Sequence, residues 1–275
     1  MIRVTKIRLA LAALAAAALV PAAAQAHRGW MLPSATTVSG DDAWVTVDAA
    51  ISNDLFYFEH QPLRLDGVKA WAPDGTEAKI ENASTGRYRS TFDVHLTQQG
   101  TYRIATSMGG IMGGYTLNGE QKRLPRGLTP DKLAAAIPAG ATDVKLSEGM
   151  NRNETFVTNG APSTSVLKPT GKGLEFAPVT HPNDLVAGEP ATFGFLLDGK
   201  PAAGLKVTII PGGIRYRNAL GEIDLTTDAK GQVTVKWPYA GFYWLNVTAS
   251  DKKVSVPQAT ERRLGYVATL EVLAP

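Results

Sequence analysis

The sequence predicts an all-β protein made of two immunoglobulin-like β-sandwich domains, on three observations. Apolar residues alternate near both ends, glycine-bearing turns separate the alternating runs, and one strand-turn-tyrosine unit occurs twice. Trp44 to Ile51 places Val45, Val47, Ala49 and Ile51 on one face, and Tyr88 to Leu96 does the same with Phe92, Val94 and Leu96, the period of a half-buried strand. Pro73-Asp74-Gly75, Asp198-Gly199 and Asp228-Ala229-Lys230-Gly231 read as hairpin turns in which glycine takes the positive-φ position. Phe92-x-Val94 is followed by Gly100-Thr101-Tyr102, and Val233-x-Val235, at the same spacing, by Gly241-Phe242-Tyr243. Each unit reads as a strand, a turn and a second strand opening on a tyrosine, as in sandwiches where a buried tyrosine hydroxyl pins a corner.

Taken in order, residues 1–26 read as a signal peptide. Arg3, Lys6 and Arg8 precede an apolar run from Leu9 to Ala24, and Ala24-Gln25-Ala26 supplies the small-x-small pattern at which a leader is cut. The run is interrupted by Pro21 and is shorter than the ~20 residues a bilayer span requires. An alanine-rich leader without twin arginine predicts export by the general secretory route into a periplasm. The chain has no cysteine, hence no lipid-anchoring motif and no disulfide. Setting aside the three basic residues of the leader leaves 25 basic against 25 acidic residues, a balance that asks for neither nucleic acid nor an anionic membrane as partner. Residues 27–119 are expected to form the N-terminal sandwich and 165–275 the C-terminal one. Residues 120–164 are expected to connect them, with one short helix that Thr129-Pro130-Asp131 opens and Pro138 stops after Ile137.

Cleavage after Ala26 leaves His27 as the first residue. Its α-amine and imidazole then close a chelate ring on a metal, provided the amine is uncapped and the ring neutral. The chain has four histidines, and without cysteine a transition-metal site draws on imidazole, carboxylate, thioether or backbone nitrogen. His60 follows an aromatic stretch and a carboxylate in Phe56-Tyr57-Phe58-Glu59-His60 and is the second candidate ligand. His181, in Thr180-His181-Pro182-Asn183-Asp184, is the third, with capping of that turn as its other reading. His95 has the parity of Thr91 and Asp93 and is expected to face solvent. Met108 and Met112 lie in a glycine-rich stretch, Ser107 to Gly114, read as a loop; they suit Cu(I) by softness or a hydrophobic edge by shape. No Gly-x-Ser-x-Gly elbow, His-Glu-x-x-His motif or histidine-cysteine pair is present.

Four segments carry a family resemblance: His27-Arg28-Gly29-Trp30-Met31-Leu32-Pro33-Ser34, Asn53 to Leu63, Glu154-Thr155-Phe156-Val157-Thr158, and Thr180 to Leu185. With Tyr243-Trp244-Leu245 they resemble exported bacterial proteins that carry a domain of unknown function and are labelled as the periplasmic component of a cobalt or nickel uptake transport system of the ABC type. The resemblance implies a periplasmic accessory that binds or hands over a divalent ion beside an inner-membrane importer or an outer-membrane receptor. His27, His60 and His181 are the matching positions suited to ligation. Three function classes follow: a Ni, Co or Cu binding accessory for uptake, a copper monooxygenase with an N-terminal histidine brace, and a metal-free interaction module.

Overall fold

The computed structural model describes residues 27–275, so the leader expected over residues 1–26 lies outside the described residues. The N-terminal part contributes β1 (Arg28–Pro33), β2 (Thr37–Val38), β3 (Trp44–Ser52), β4 (Gln61–Pro62), β5 (Val68–Trp71), β6 (Glu77–Ala78), β7 (Ile80–Thr85), β8 (Ser90–His95) and β9 (Gly100–Leu117). Then come β10 (Glu120–Arg123), a short helix α1 (Leu133–Ala136) and β11 (Thr142–Asn159). The chain continues with β12 (Leu174–Pro178), β13 (Pro190–Leu197), β14 (Lys200–Pro201), β15 (Lys206–Pro211), β16 (Ile223–Thr226), β17 (Gln232–Lys236), β18 (Gly241–Asp251) and β19 (Ala259–Val272). The fold is all-β, as the sequence predicts.

Three sheets make two sandwiches. One sheet has the order β1-β3-β8-β7 with β4 beside β3, and a second joins β12, β13, β14 and β17. The third runs β16-β15-β18-β19-β11-β9-β5-β6 and backs both of the others. The N-terminal core gathers Met31, Val45, Val47, Phe92, Val94, Leu96, Tyr102 and Ile104. The C-terminal core gathers Phe176, Phe193, Phe195, Trp237, Tyr243, Leu245 and Tyr266. The alternation read in β3 and β8 is therefore the inward face of a sheet. Both tyrosine units also form: the Tyr102 hydroxyl accepts from the Gln98 N–H at 2.7 Å, and the Tyr243 hydroxyl donates to the Tyr239 carbonyl at 2.7 Å. One pins a corner of each core.

The segment expected to connect the sandwiches holds more than a helix. β11 pairs antiparallel with β9 from Lys145 to Asn159 and parallel with β19 from Glu148 to Thr155, so it is the strand through which the two sandwiches share a sheet. The glycine-rich stretch from Ser107 to Gly114 is likewise strand, not loop. A Cβ on Gly114 would run into the Lys122 carbonyl of β10, so glycine here lets three strands approach closely. Met108 and Met112 stand on this strand, 51% and 40% exposed.

At the junction the buried side chains are polar. Glu154 is 5% exposed and accepts a hydrogen bond from the Tyr266 hydroxyl at 2.9 Å. Burial drives its carboxyl up from the ordinary range, against the opposing pull of Arg103 and the Tyr266 hydroxyl. Nearby, Glu175 accepts from the Thr170, Gly171 and Lys172 N–H groups, and Arg152 lies 3.3 Å from it. Farther along β11, the Thr158 hydroxyl donates to Asn183 Oδ1 at 2.8 Å. His181 belongs to this second group. Its Nδ1 accepts from the Asn183 N–H at 3.1 Å, so the ring proton sits on Nε2, which lies 3.1 Å from both the Ser163 carbonyl and Thr101 Oγ1.

Two predictions follow from these buried groups. Tyr266→Phe removes the donor from a buried carboxylate and should cost about 1–3 kcal/mol, read as a lower urea midpoint at unchanged slope. The second concerns His181, whose pKa burial lowers from 6.5 against weaker raising by the Ser163 carbonyl and Asp184. A base with lowered proton affinity in the fold adds stability that is complete above its ordinary pKa and lost as pH falls through the lowered one. The urea midpoint should therefore drop below pH 6.5 more steeply in the native protein than in His181→Gln. Parallel pH profiles for the two would show that His181 does not contribute.

Candidate metal centre

β1 and β4 both pair antiparallel with β3, one on each side: Gly29 stands opposite Ile51, and Ile51 opposite Gln61. The two outer strands therefore run in the same direction, two strand spacings or about 10 Å apart. His27 immediately precedes β1 and His60 immediately precedes β4, so both histidines emerge at the same end of the sheet. Their rings close the gap, stacking with centroids 3.7 Å apart and an interplanar angle of 10°. Both residues are exposed. Imidazole lone pairs lie in the ring plane, so one ring has to turn out of this stack before both can meet a single ion at the roughly 2.0–2.1 Å of a metal–nitrogen bond.

The loop from Asn53 to His60 is fastened from several sides. Glu59 Oε1 accepts from the Asn53 and Asp54 N–H groups at 2.6 and 3.0 Å, which commits that carboxylate to the loop. Trp30 Nε1–H donates to Ser52 Oγ at 2.8 Å, and Ser52 Oγ–H donates to the Asp54 carbonyl at 2.6 Å. Arg28 donates to the Asn53 carbonyl at 2.8 Å while its guanidinium lies 5.9 Å from the Trp244 ring centroid. Burial lowers the pKa of Arg28, with Asp54 and Glu222 pulling the other way. Trp244 in turn donates from Nε1 to the Gly29 carbonyl at 3.1 Å. The strand behind His27 is thus tied to the C-terminal sandwich, and Trp30, Leu55, Ile210, Ile214 and Trp244 form an apolar cluster between the two.

Phe56 lies at the centre of this loop with φ 61°, a conformation that costs a bulky residue about 1–3 kcal/mol and persists only where surroundings enforce it. Its ring meets Trp30 edge-on at 5.5 Å and Phe242 at 6.2 Å. Sequence reading quoted Phe56, Arg28 and Trp244 within its motifs but gave none of them a role at the site. An apolar aromatic run is read first as core, and no local pattern announces a positive φ at phenylalanine.

Of the sequence-predicted ligands, the structure brings His27 and His60 together and places His181 elsewhere. His181 is bonded near Thr158 of β11, whereas the residue of β11 beside Gly29 is Asn153, about 17 Å away at strand spacing. Its Nδ1 accepts from the Asn183 N–H within its own turn, the capping role that was its other reading, and its Nε2 reaches out of the turn to the Ser163 carbonyl and Thr101 Oγ1. His95 faces outward as predicted, its ring stacked on Trp44 at 4.2 Å with Nε2 3.0 Å from Asp42. Among the described residues, no cluster of three or more histidine, cysteine or carboxylate side chains is arranged to hold a metal.

No curated protein matches the chain. Among solved structures it is similar to the D0-D1 domain of intimin, at 12% identity and TM-score 0.23, over 88% of this chain and 97% of that one. It is also similar to the D00-D0 domain of intimin, at 10% identity and TM-score 0.21, over 90% of this chain and 100% of that one. A third likeness is to Escherichia coli alpha-2-macroglobulin activated by porcine elastase, at 11% identity and TM-score 0.21, over 90% of this chain and 30% of that one. The family model described as a domain of unknown function, DUF4198, matches residues 24–251, and the chain belongs to that family.

Proposed function

We propose that this protein is an exported, periplasmic accessory that binds a divalent transition metal, Ni(II) or Co(II) with Cu(II) as the competing ion, and supports its uptake. The observation that carries the reading is the exposed His27–His60 pair, stacked at 3.7 Å at the shared end of two parallel-running strands. Two imidazoles make a weak site on their own. In the proposal, removal of the leader after Ala26 frees the His27 amine, which joins its own imidazole and that of His60 as the third nitrogen. The remaining coordination positions stay open to solvent or to the next carrier, which suits a protein that passes its metal on. The proposed recipient is a membrane importer or receptor, consistent with the label of the family that the sequence resembles.

Isothermal titration with Ni(II) and Cu(II) tests this directly. His60→Ala should weaken binding by about ten- to a hundredfold, while His95→Ala and His181→Ala should leave it nearly unchanged. A variant carrying one extra residue before His27 keeps every side chain and displaces only the amine. It should lose most of the affinity; binding as tight as that of the native protein would remove the amine from the ligand set.

A further inference from the structure

We propose that Phe56, pressed against Gly212 of the C-terminal sandwich, is the positioning residue that sets the His27–His60 spacing. Any metal bound between the histidines is then held in register by a domain that supplies no ligand. The inference deepens the metal reading and rests on it for its functional consequence.

The argument begins at Gly212. Its backbone is not in the left-handed region, so conformation does not demand glycine there. Space does. A Cβ at this position would stand 2.9 and 3.3 Å from the Phe56 ring and 3.2 Å from the Phe242 carbonyl, closer than van der Waals packing tolerates. The Gly212 N–H donates to that same Phe242 carbonyl at 2.8 Å, which fixes the floor on which the Phe56 ring rests. Above it, the ring is held by Trp30. Trp30 stands in β1, three residues after His27, and Phe56 stands four residues before His60.

Aromatic contacts from Trp30 to Phe56 and to Phe58, at 5.5 and 5.6 Å, therefore link the strand that carries the first histidine to the loop that carries the second, and of the two rings it is Phe56 that meets Gly212. Both are backed by the second sandwich, through Gly212 and through Trp244 on the Gly29 carbonyl. A positive φ at a phenylalanine is retained at a cost, and the geometry points to what that cost maintains. With φ at 61° the ring is directed into the gap between the sandwiches, and the loop turns so that His60 returns to the end of β3.

The test is Gly212→Ala, read by proton NMR of the imidazole rings and by Ni(II) titration of the protein beginning at His27. Stacked imidazoles shift one another's ring protons upfield. Gly212→Ala should shrink that displacement at both His27 and His60 and lower Ni(II) affinity about tenfold. Adding Phe56→Leu in the same background removes the obstructing ring edge and should recover part of the affinity. A merely structural role for the contact predicts a lower unfolding temperature with ring shifts and affinity unchanged, and that result in folded Gly212→Ala overturns the proposal. Should Gly212→Ala not fold, Phe56→Gly, which relieves the positive φ and deletes the ring, must show the same loss of stacking or the proposal fails. A native protein that binds no Ni(II) while the ring shifts respond to Gly212→Ala sinks the metal reading and leaves the positioning role standing.

Discussion

Strand β11 bonds to a neighbour along both edges, antiparallel to β9 and parallel to β19, and the rest of the molecule is arranged around that commitment. A strand covered at both edges and both faces gives its side chains little access to water, yet β11 carries Asn153, Glu154, Thr155, Thr158 and Asn159 in buried positions. An unmatched buried polar group costs more than a made hydrogen bond returns, and of these five only Asn153 leaves its side-chain oxygen without a partner among the described residues. Glu154 finds Tyr266, Thr158 finds Asn183, and Asn159 donates to the carbonyls of Gly40 and Leu96. These partners come from both sandwiches. The junction is fixed by directional bonds as well as by the apolar cluster around Trp30 and Trp244, so its geometry is specified more narrowly than an oily interface of the same size would allow.

The same rigidity reaches the candidate metal centre. β1 is a strand of the N-terminal sandwich by its hydrogen bonds to β3, but its Trp30 packs with Ile210, Ile214 and Trp244 of the C-terminal one. Glu271 of β19 also accepts from the Thr36 N–H and hydroxyl at 2.9 and 2.7 Å, tying down the chain just beyond β1. The exposed histidines thus stand at the rim of a well-fastened frame. In the metal proposal, backbones fixed in this way leave only the ring rotations for an ion to order.

What was legible in the sequence follows from what is local. Alternation in β3 and β8, glycines at the Asp74-Gly75 and Asp198-Gly199 turns, and the two tyrosine corners are encoded within a few residues, and each appears where it was read. α1 likewise lies inside the span that Thr129-Pro130-Asp131 opened. β11 was hidden because its buried half is rich in Asn, Glu and Thr, which hydropathy patterning assigns to a connecting segment. The stretch from Ser107 to Gly114 was hidden for a related reason, since glycines that permit close strand approach look the same as glycines of a loop. For the centre, His27 and His60 stood out by residue type, and the structure places them in contact. His181 stood out equally by type, but its partners on β9 and in the Ser163 segment are far away in sequence and no local signal names them. Phe56 and Gly212 are a pair only in space.

The strand order has a consequence for when the fold can form. β19 lies between β18 and β11, so the last long strand in the chain is an inner strand, and Tyr266 meets Glu154 across 112 positions. An inner strand that arrives last leaves a gap that earlier segments cannot close. β9 and β11 can pair as a hairpin-like unit beforehand, but the far edge of β11 then waits with its backbone groups unpaired, an open template for mispairing. Closure over so long a separation is also slow. Until β19 is in place, no other strand of the described residues can close that edge of β11 from Glu148 to Thr155, so the exposed template persists for as long as β19 takes to arrive.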